Sequence, residues 1–213
     1  MWSFAPLLLL GLTAVAAPTA ACAQSADSTR TRASDPVTYV LTPESRLEVK
    51  TGKSGLLGFA GHEHIIRANH PTGRVTYDPA TPAKSSVEIA VLTRNLEVLT
   101  PPDTAEIRKV TEAMRTEVLF IDRHPEITFV SKSVTPIEGG FRVVGGLTIS
   151  GQTRDVTVDL ATTIDAETLR AEGRFSVKQT DFGIKPYRGG PGGTVRVADK
   201  VEFRLKVVAT SKS

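Results

Sequence analysis

The chain has 213 residues, which is enough for one domain with a sizeable hydrophobic core. Apolar residues make up 40% of the chain and charged residues 23%, as is typical of a soluble globular protein. The net charge of +3 is modest, and basic residues are interspersed with acidic ones. The composition therefore excludes a concentrated basic patch for nucleic acid or anionic lipid, and indicates an ordinary solvated surface.

Residues 1–23 have the features of an export signal. Residues 2–17 are apolar and uncharged, but they are too few to span a membrane. Ala21-Cys22-Ala23 fits a small-x-small cleavage pattern, so we expect the mature chain to begin at Gln24. The sequence thus predicts a periplasmic or secreted protein without a transmembrane segment in its mature form.

Cys22 is the only cysteine in the chain. Cleavage after Ala23 would leave a mature chain without thiols or disulfides, stabilised by its core alone. In the alternative, Thr19-Ala20-Ala21-Cys22 acts as a lipoprotein box and Cys22 is acylated, although such boxes usually have Leu where Thr19 stands. The cleavage position and lipidation at Cys22 both stay open.

Residues 24–36 are polar, and we expect a disordered lead-in there, followed by one folded domain over residues 37–210. One short helix is expected near residues 103–116, because Pro101-Pro102 ends the preceding element and Asp103 with Glu106 forms a capping-box pattern.

Most of the remaining sequence alternates between apolar and polar residues, which is typical of β-strands with one dry face. Between residues 127 and 160, two Gly-containing turns separate three such strands, so this stretch predicts an antiparallel meander. About eight strands joined mostly by tight turns imply an all-β barrel or sandwich. Closure into a barrel is favoured, because it removes exposed strand edges. The inward positions mix large and small side chains and could either fill a core or leave a tunnel. The candidate lumen residues are Val91, Phe129, Phe141, Val143, Leu147, Phe175 and Phe203.

Few motifs point to chemistry. His62 and His64 would share one face of a strand and could begin a metal site, but no complete ligand set is visible. Asp181-Phe182-Gly183 is not a kinase motif, since neither a catalytic loop nor a nucleotide loop accompanies it. We therefore expect no catalytic residue, no metal and no cofactor.

The chain resembles the YceI family of exported polyisoprenoid-binding proteins from about residue 39 to residue 209. The similarity rests on the order and spacing of several short segments: residues 58–64, 73–79, 123–129, 145–156 and 178–184. The resemblance implies a lipocalin-like antiparallel barrel that holds an isoprenoid or quinone-like amphiphile in its lumen, without cofactor chemistry.

Three functions stay open at this point. The first is an exported carrier or sequestering protein for such a lipid, with His62 and His64 as polar candidates at the mouth. The second is a structural or interaction module of the envelope with a filled core, and the third is a metal-dependent enzyme using His62 and His64. The sequence does not fix the lipid, the delivery or acceptor partner, the physiological trigger or the oligomeric state, for which a homodimer is one alternative.

Overall fold

The computed structural model describes residues 35–54, 63–99, 104–189 and 195–211. The predicted signal segment, most of the polar lead-in and His62 lie outside the described residues, so the expectations for them stay predictions.

Twelve β-strands and one α-helix make up the described chain. The strands are β1 (Val37–Leu41), β2 (Arg46–Ser54), β3 (Ile65–Ala68), β4 (Thr72–Tyr77), β5 (Ser86–Leu92), β6 (Leu96–Val98), β7 (Glu126–Ile137), β8 (Gly140–Ile149), β9 (Gln152–Ile164), β10 (Thr168–Lys178), β11 (Arg188–Gly189) and β12 (Val195–Ser211). The helix α1 (Thr104–Ala113) runs into a π turn, Met114–Val118, and short 3-10 turns occupy Pro82–Lys84, Thr93–Asn95 and Gln179–Phe182.

The strands close into a barrel in which each strand is antiparallel to its neighbours. The hydrogen-bonded order β1-β4-β5-β7-β8-β9-β10-β12 returns to β1 through a β12–β1 pairing, which completes a ring of eight. Strands β2, β3 and β6 continue β1, β4 and β5 along the same wall. The long strand β12 pairs with β2 over most of its length and with β1 at its C-terminal end. The predicted eight-stranded antiparallel barrel is therefore confirmed.

Alternation of side chains sets the two faces of the wall. In the β10–β12 pair, Phe175 lies opposite Phe203 on the inner face, and their rings stack with centroids 4.9 Å apart. On the outer face, Arg142 forms an ion pair with Asp159 on the next strand at 2.7 Å. Such exposed pairs stabilise weakly, so the apolar inner face carries most of the stability.

The helix lies where the sequence predicted one helix, near residues 103–116, and packs at the end of the barrel formed by the end of β6 and the start of β7. Met114 is buried among Val91, Leu96 and Val98, and Ile107 of α1 packs against the same cluster. We call this the helix end of the barrel.

At the opposite, far end, Tyr39 is buried inside the barrel. Its hydroxyl donates a 2.6 Å hydrogen bond to the backbone carbonyl of Asp165 in the β9–β10 turn. The ring packs with Leu169 and Ala209 from β10 and β12. Tyr39 therefore fills part of the far end and ties β1 to a turn on another part of the rim.

Candidate functional site

The barrel encloses an apolar lumen. About 1270 Å³ inside it is not filled by protein atoms, counted through to its openings, and about 150 Å³ is open to the centres of water-sized molecules. The 150 Å³ alone exceeds what a close-packed core leaves, since voids larger than one water molecule are few in such cores. The interior is thus a cavity and not a packed core.

All the residues predicted from the sequence to face the lumen lie on its wall. They come from five different strands, because alternation places every second residue of each strand inward. The seven are Val91, Phe129, Phe141, Val143, Leu147, Phe175 and Phe203. Their placement follows from the structure, whereas their role in ligand binding stays a prediction.

Small residues leave room for the aromatic ones. A Cβ on Gly145 would lie 2.5 Å from Cζ of Phe129 and 2.6 Å from the carbonyl oxygen of Val130. Glycine at this position therefore lets the Phe129 ring and the β7 backbone approach the β8 backbone closely. Tyr77 and Phe141 meet edge to face with centroids 5.9 Å apart, so the wall near the far end is also aromatic.

Few residues lining the lumen have polar side chains: Glu48, Tyr77, Ser85, Thr128 and Thr162. Alternation turns the side chains of Glu48 and Thr128 to the outer face, because their neighbours on each side point inward. The Ser85 hydroxyl already accepts a 3.1 Å hydrogen bond from the backbone N–H of Asp78. Such a wall suits a hydrocarbon ligand, because burying apolar surface stabilises a complex without directional contacts.

The histidines expected at the mouth are placed differently. His62 lies outside the described residues. His64 precedes β3 at the helix end, is half-buried, and is not among the lumen-lining residues. Its backbone N–H donates to the Thr51 hydroxyl at 3.1 Å, and its carbonyl accepts from the Thr51 N–H at 2.9 Å. A role for the His64 side chain in binding a head group stays a prediction.

The described residues contain no group of three or more His, Cys, Asp or Glu side chains placed to hold a metal ion. Within the same residues, no helix is long and apolar enough to cross a membrane.

Two buried aromatic residues, Tyr39 at the far end and Phe182 at the helix end, were not predicted from the sequence. Tyr39 fills part of the far end. Burial raises the pKa of its hydroxyl, and the negative charge of Asp165 raises it further. Phe182 was considered only as part of a kinase-like tripeptide, yet it is 1% exposed and packs with Leu147 and Val156 at the helix end. An aromatic residue next to Gly183, whose φ is +72°, could have suggested a side chain turned inward from a tight turn.

The fold and the cavity together define a class. A closed eight-stranded barrel has an interior just wide enough to be filled by side chains or to hold one small ligand, and the lumen here follows the second pattern. The chain thus has the architecture of an eight-stranded barrel with room inside for one small ligand.

Comparison with known proteins assigns the family. Residues 42–209 match the YceI-like domain, and the chain therefore belongs to the YceI-like family, as the sequence resemblance predicted. The UPF0312 protein of Yersinia enterocolitica is 28% identical over 136 residues, which are 61% of this chain and 68% of that protein. The UPF0312 protein of Serratia proteamaculans is 27% identical over the same shares of each chain.

Solved structures share the fold. BcnA of Burkholderia cenocepacia matches with a TM-score of 0.63 at 20% identity, over 80% of this chain and 99% of that one. A polyisoprenoid binding domain from Saccharophagus degradans matches with a TM-score of 0.56 at 10% identity, over 84% and 100% of the two chains. The Campylobacter jejuni YCEI protein matches with a TM-score of 0.54 at 14% identity, over 70% and 85%.

Proposed function

We propose that this protein binds an isoprenoid lipid or quinone-like amphiphile, whose chain lies in the barrel lumen. The observation that carries the proposal is the lumen itself: an unfilled interior walled almost entirely by aliphatic and aromatic side chains. Membership of the YceI-like family and the fold shared with a polyisoprenoid binding domain support this ligand class.

The energetics suit a chain-like ligand. Each buried CH₂ contributes about 0.8 kcal/mol, so a five-carbon isoprene unit contributes at most about 4 kcal/mol. Association costs roughly 4–15 kcal/mol in lost freedom of motion. Four buried units would contribute about 16 kcal/mol before that cost. Micromolar binding requires about 8 kcal/mol, so it is reached with few polar contacts where the cost is about 8 kcal/mol or less.

The role is that of a carrier or sequestering protein and not of an enzyme. The export signal predicted in residues 1–23 would place the protein in the periplasm or outside the cell. An isoprenoid chain that leaves a membrane there must be shielded from water. Acylation at Cys22 would instead keep the barrel at a membrane surface.

A prenyl chain-length series tests the proposal. Geraniol, farnesol and geranylgeraniol share one head group and differ by one isoprene unit each. We expect affinity to rise with each unit, with saturation at one ligand per protein, as measured by displacement of a fluorescent apolar probe. The gain should end once the chain exceeds the lumen. Adsorption to the outer surface would give neither one-to-one saturation nor a plateau, and no binding of any member would leave the envelope-module alternative.

A further inference from the structure

The hairpin of β9 and β10 is hydrogen-bonded over only half of its length. Its ladder stops after the Leu160–Gly173 pair. Both strands continue beyond that point, β9 being paired to β8 as far as Gln152 and β10 to β12 as far as Lys178. The register would next bring Asp159 opposite Arg174 and, two residues further, Thr157 opposite Ser176, but the ladder includes neither pair. The barrel wall is therefore forked between β9 and β10 towards the helix end.

The fork forms a polar cleft. About 490 Å³ there is not filled by protein atoms, counted to the open side. Charged and hydroxyl groups line it: Arg154, Asp155, Thr157, Ser176 and Asp181. This cleft contrasts with the lumen, whose wall is almost entirely apolar. The backbone edges that face the cleft lack β9–β10 ladder partners, so they add hydrogen-bonding groups to the same cleft.

Arg154 occupies an inner-face position of β9. It lies opposite Leu147 in the β8–β9 pair, and Leu147 lines the lumen. Residues directly opposite each other in an antiparallel pair share a face. One guanidinium nitrogen of Arg154 donates to the Thr153 carbonyl at 2.8 Å, and no carboxylate of the described chain forms an ion pair with Arg154. Asp155, by contrast, is paired with Lys132 at 2.6 Å. Arg154 thus has hydrogen-bond donors left for a ligand.

Aromatic side chains separate the cleft from the lumen. Phe175 lines both spaces. Phe182 lines the cleft and belongs to the same packed cluster as Leu147 and Phe129 of the lumen wall. The apolar lumen and the polar cleft thus meet at the Phe175 ring, and Phe182 packs in the same cluster beside it.

We propose that this cleft binds the head group of the amphiphile whose chain lies in the lumen, and that the chain passes between Phe175 and Phe182. The head group is neutral and accepts hydrogen bonds, as an alcohol or a quinone does. A phosphate would meet the carboxylate of Asp181, which also lines the cleft and which, unlike Asp155, has no ion pair in the described chain. The inference rests on the proposed function and names the opening and the head-group site that the function requires.

The head-group arm of the test uses three ligands with one chain: farnesol, farnesene and farnesyl phosphate. Arg154→Gln should weaken farnesol binding about tenfold, because a hydrogen bond from a charged donor is lost, and should leave farnesene binding unchanged. Arg142→Gln is the matched control, since Arg142 lies on the outer face paired with Asp159 and should affect no ligand.

Each other outcome has a distinct meaning. Equal weakening of farnesol and farnesene by Arg154→Gln, or no weakening of either, would overturn the head-group site while the lumen function stands. Farnesyl phosphate binding most tightly, with the largest loss in Arg154→Gln, would overturn the neutral class. Failure of the wild-type protein to bind any of the three would overturn the proposed function itself.

The passage arm measures farnesol dissociation by stopped flow. Phe182→Ala should raise both the association and dissociation rates several-fold, because the ring between cleft and lumen is gone. Phe182→Leu keeps an apolar side chain between the cleft and the lumen and should give a smaller increase in both rates. This variant is the one to measure if the alanine variant does not fold. Unchanged rates in a folded variant would show that the ligand reaches the lumen from an end of the barrel.

Discussion

Replacement of Ala171 by leucine tests whether the lumen is a binding space. Ala171 lies on β10, is 5% exposed and lines the lumen, so a longer side chain there projects into it. Leucine adds roughly three methylene equivalents, each of which displaces a ligand methylene worth about 0.8 kcal/mol. The loss of about 2.4 kcal/mol corresponds to roughly fifty-fold weaker binding.

The same substitution has a second readout in stability. In a packed core, the added carbons would force strain and cost about 1–3 kcal/mol. In an unfilled lumen they occupy existing space and bury apolar surface, so the ligand-free variant should be as stable as the wild type or more so.

The assay combines farnesol titration with urea unfolding of the ligand-free protein. Ala90→Leu is the matched control, because Ala90 lies on β5 between Ile89 and Val91, which line the lumen, and so faces outward. Unchanged farnesol affinity in a folded Ala171→Leu variant would refute the lumen as the binding site. A loss of stability of about 1–3 kcal/mol would instead show that the interior is packed.

Three further predictions concern Tyr39, Gly145 and the hydrogen bonds between Thr180 and Asp199. Tyr39→Phe should cost about 1 kcal/mol through its lost hydrogen bond. Since the pKa of Tyr39 is raised, the wild type should lose stability as pH rises above about 10, and unfolding at graded pH should show a smaller loss in the variant. Gly145→Ala should cost about 1–3 kcal/mol by clashing with the Phe129 ring and the Val130 carbonyl oxygen, and Phe129→Leu in the same chain should restore only the part due to the ring in urea unfolding. Thr180 donates its N–H and hydroxyl to Asp199, and the N–H bond first lowers the Asp199 pKa. The stabilisation from this carboxylate is present above the ordinary aspartate pKa and lost as pH falls through the folded pKa. Protection of the Thr180 amide from hydrogen exchange should therefore fall in acid in the wild type, but much less in Asp199→Asn, and equal acid sensitivity would contradict this.

The wall of the barrel was predictable from the sequence, because a period of two directly assigns each residue to a face. Phe129, Leu147 and Phe203 were placed on the lumen side by that rule alone, and the structure has them there. The helix was predictable for a similar reason, since Ile107 and Val110 recur at helical spacing and pack on the barrel.

The places of Tyr39 and Phe182 at the barrel ends and the fork between β9 and β10 were not predictable from the sequence, because they depend on contacts between distant segments. Tyr39 looks like any inward strand residue until its hydroxyl meets the β9–β10 turn 126 positions away. Phe182 lies in a turn, where alternation gives no face. The end of the β9–β10 ladder after Gly173 is a property of register in three dimensions, and alternation continues unchanged through it. The volume of the lumen is also set by the closed ring and not by any one strand.

Mass spectrometry of an organic extract tests directly whether the lumen holds a lipid, when the full chain is expressed in a bacterium with its predicted export signal intact and purified without detergent. We expect one equivalent of an isoprenoid or quinone-like lipid per wild-type protein, and much less lipid from Ala171→Leu than from Ala90→Leu. A wild-type protein that yields no lipid, and that also takes up none when offered solanesol, would contradict the claim.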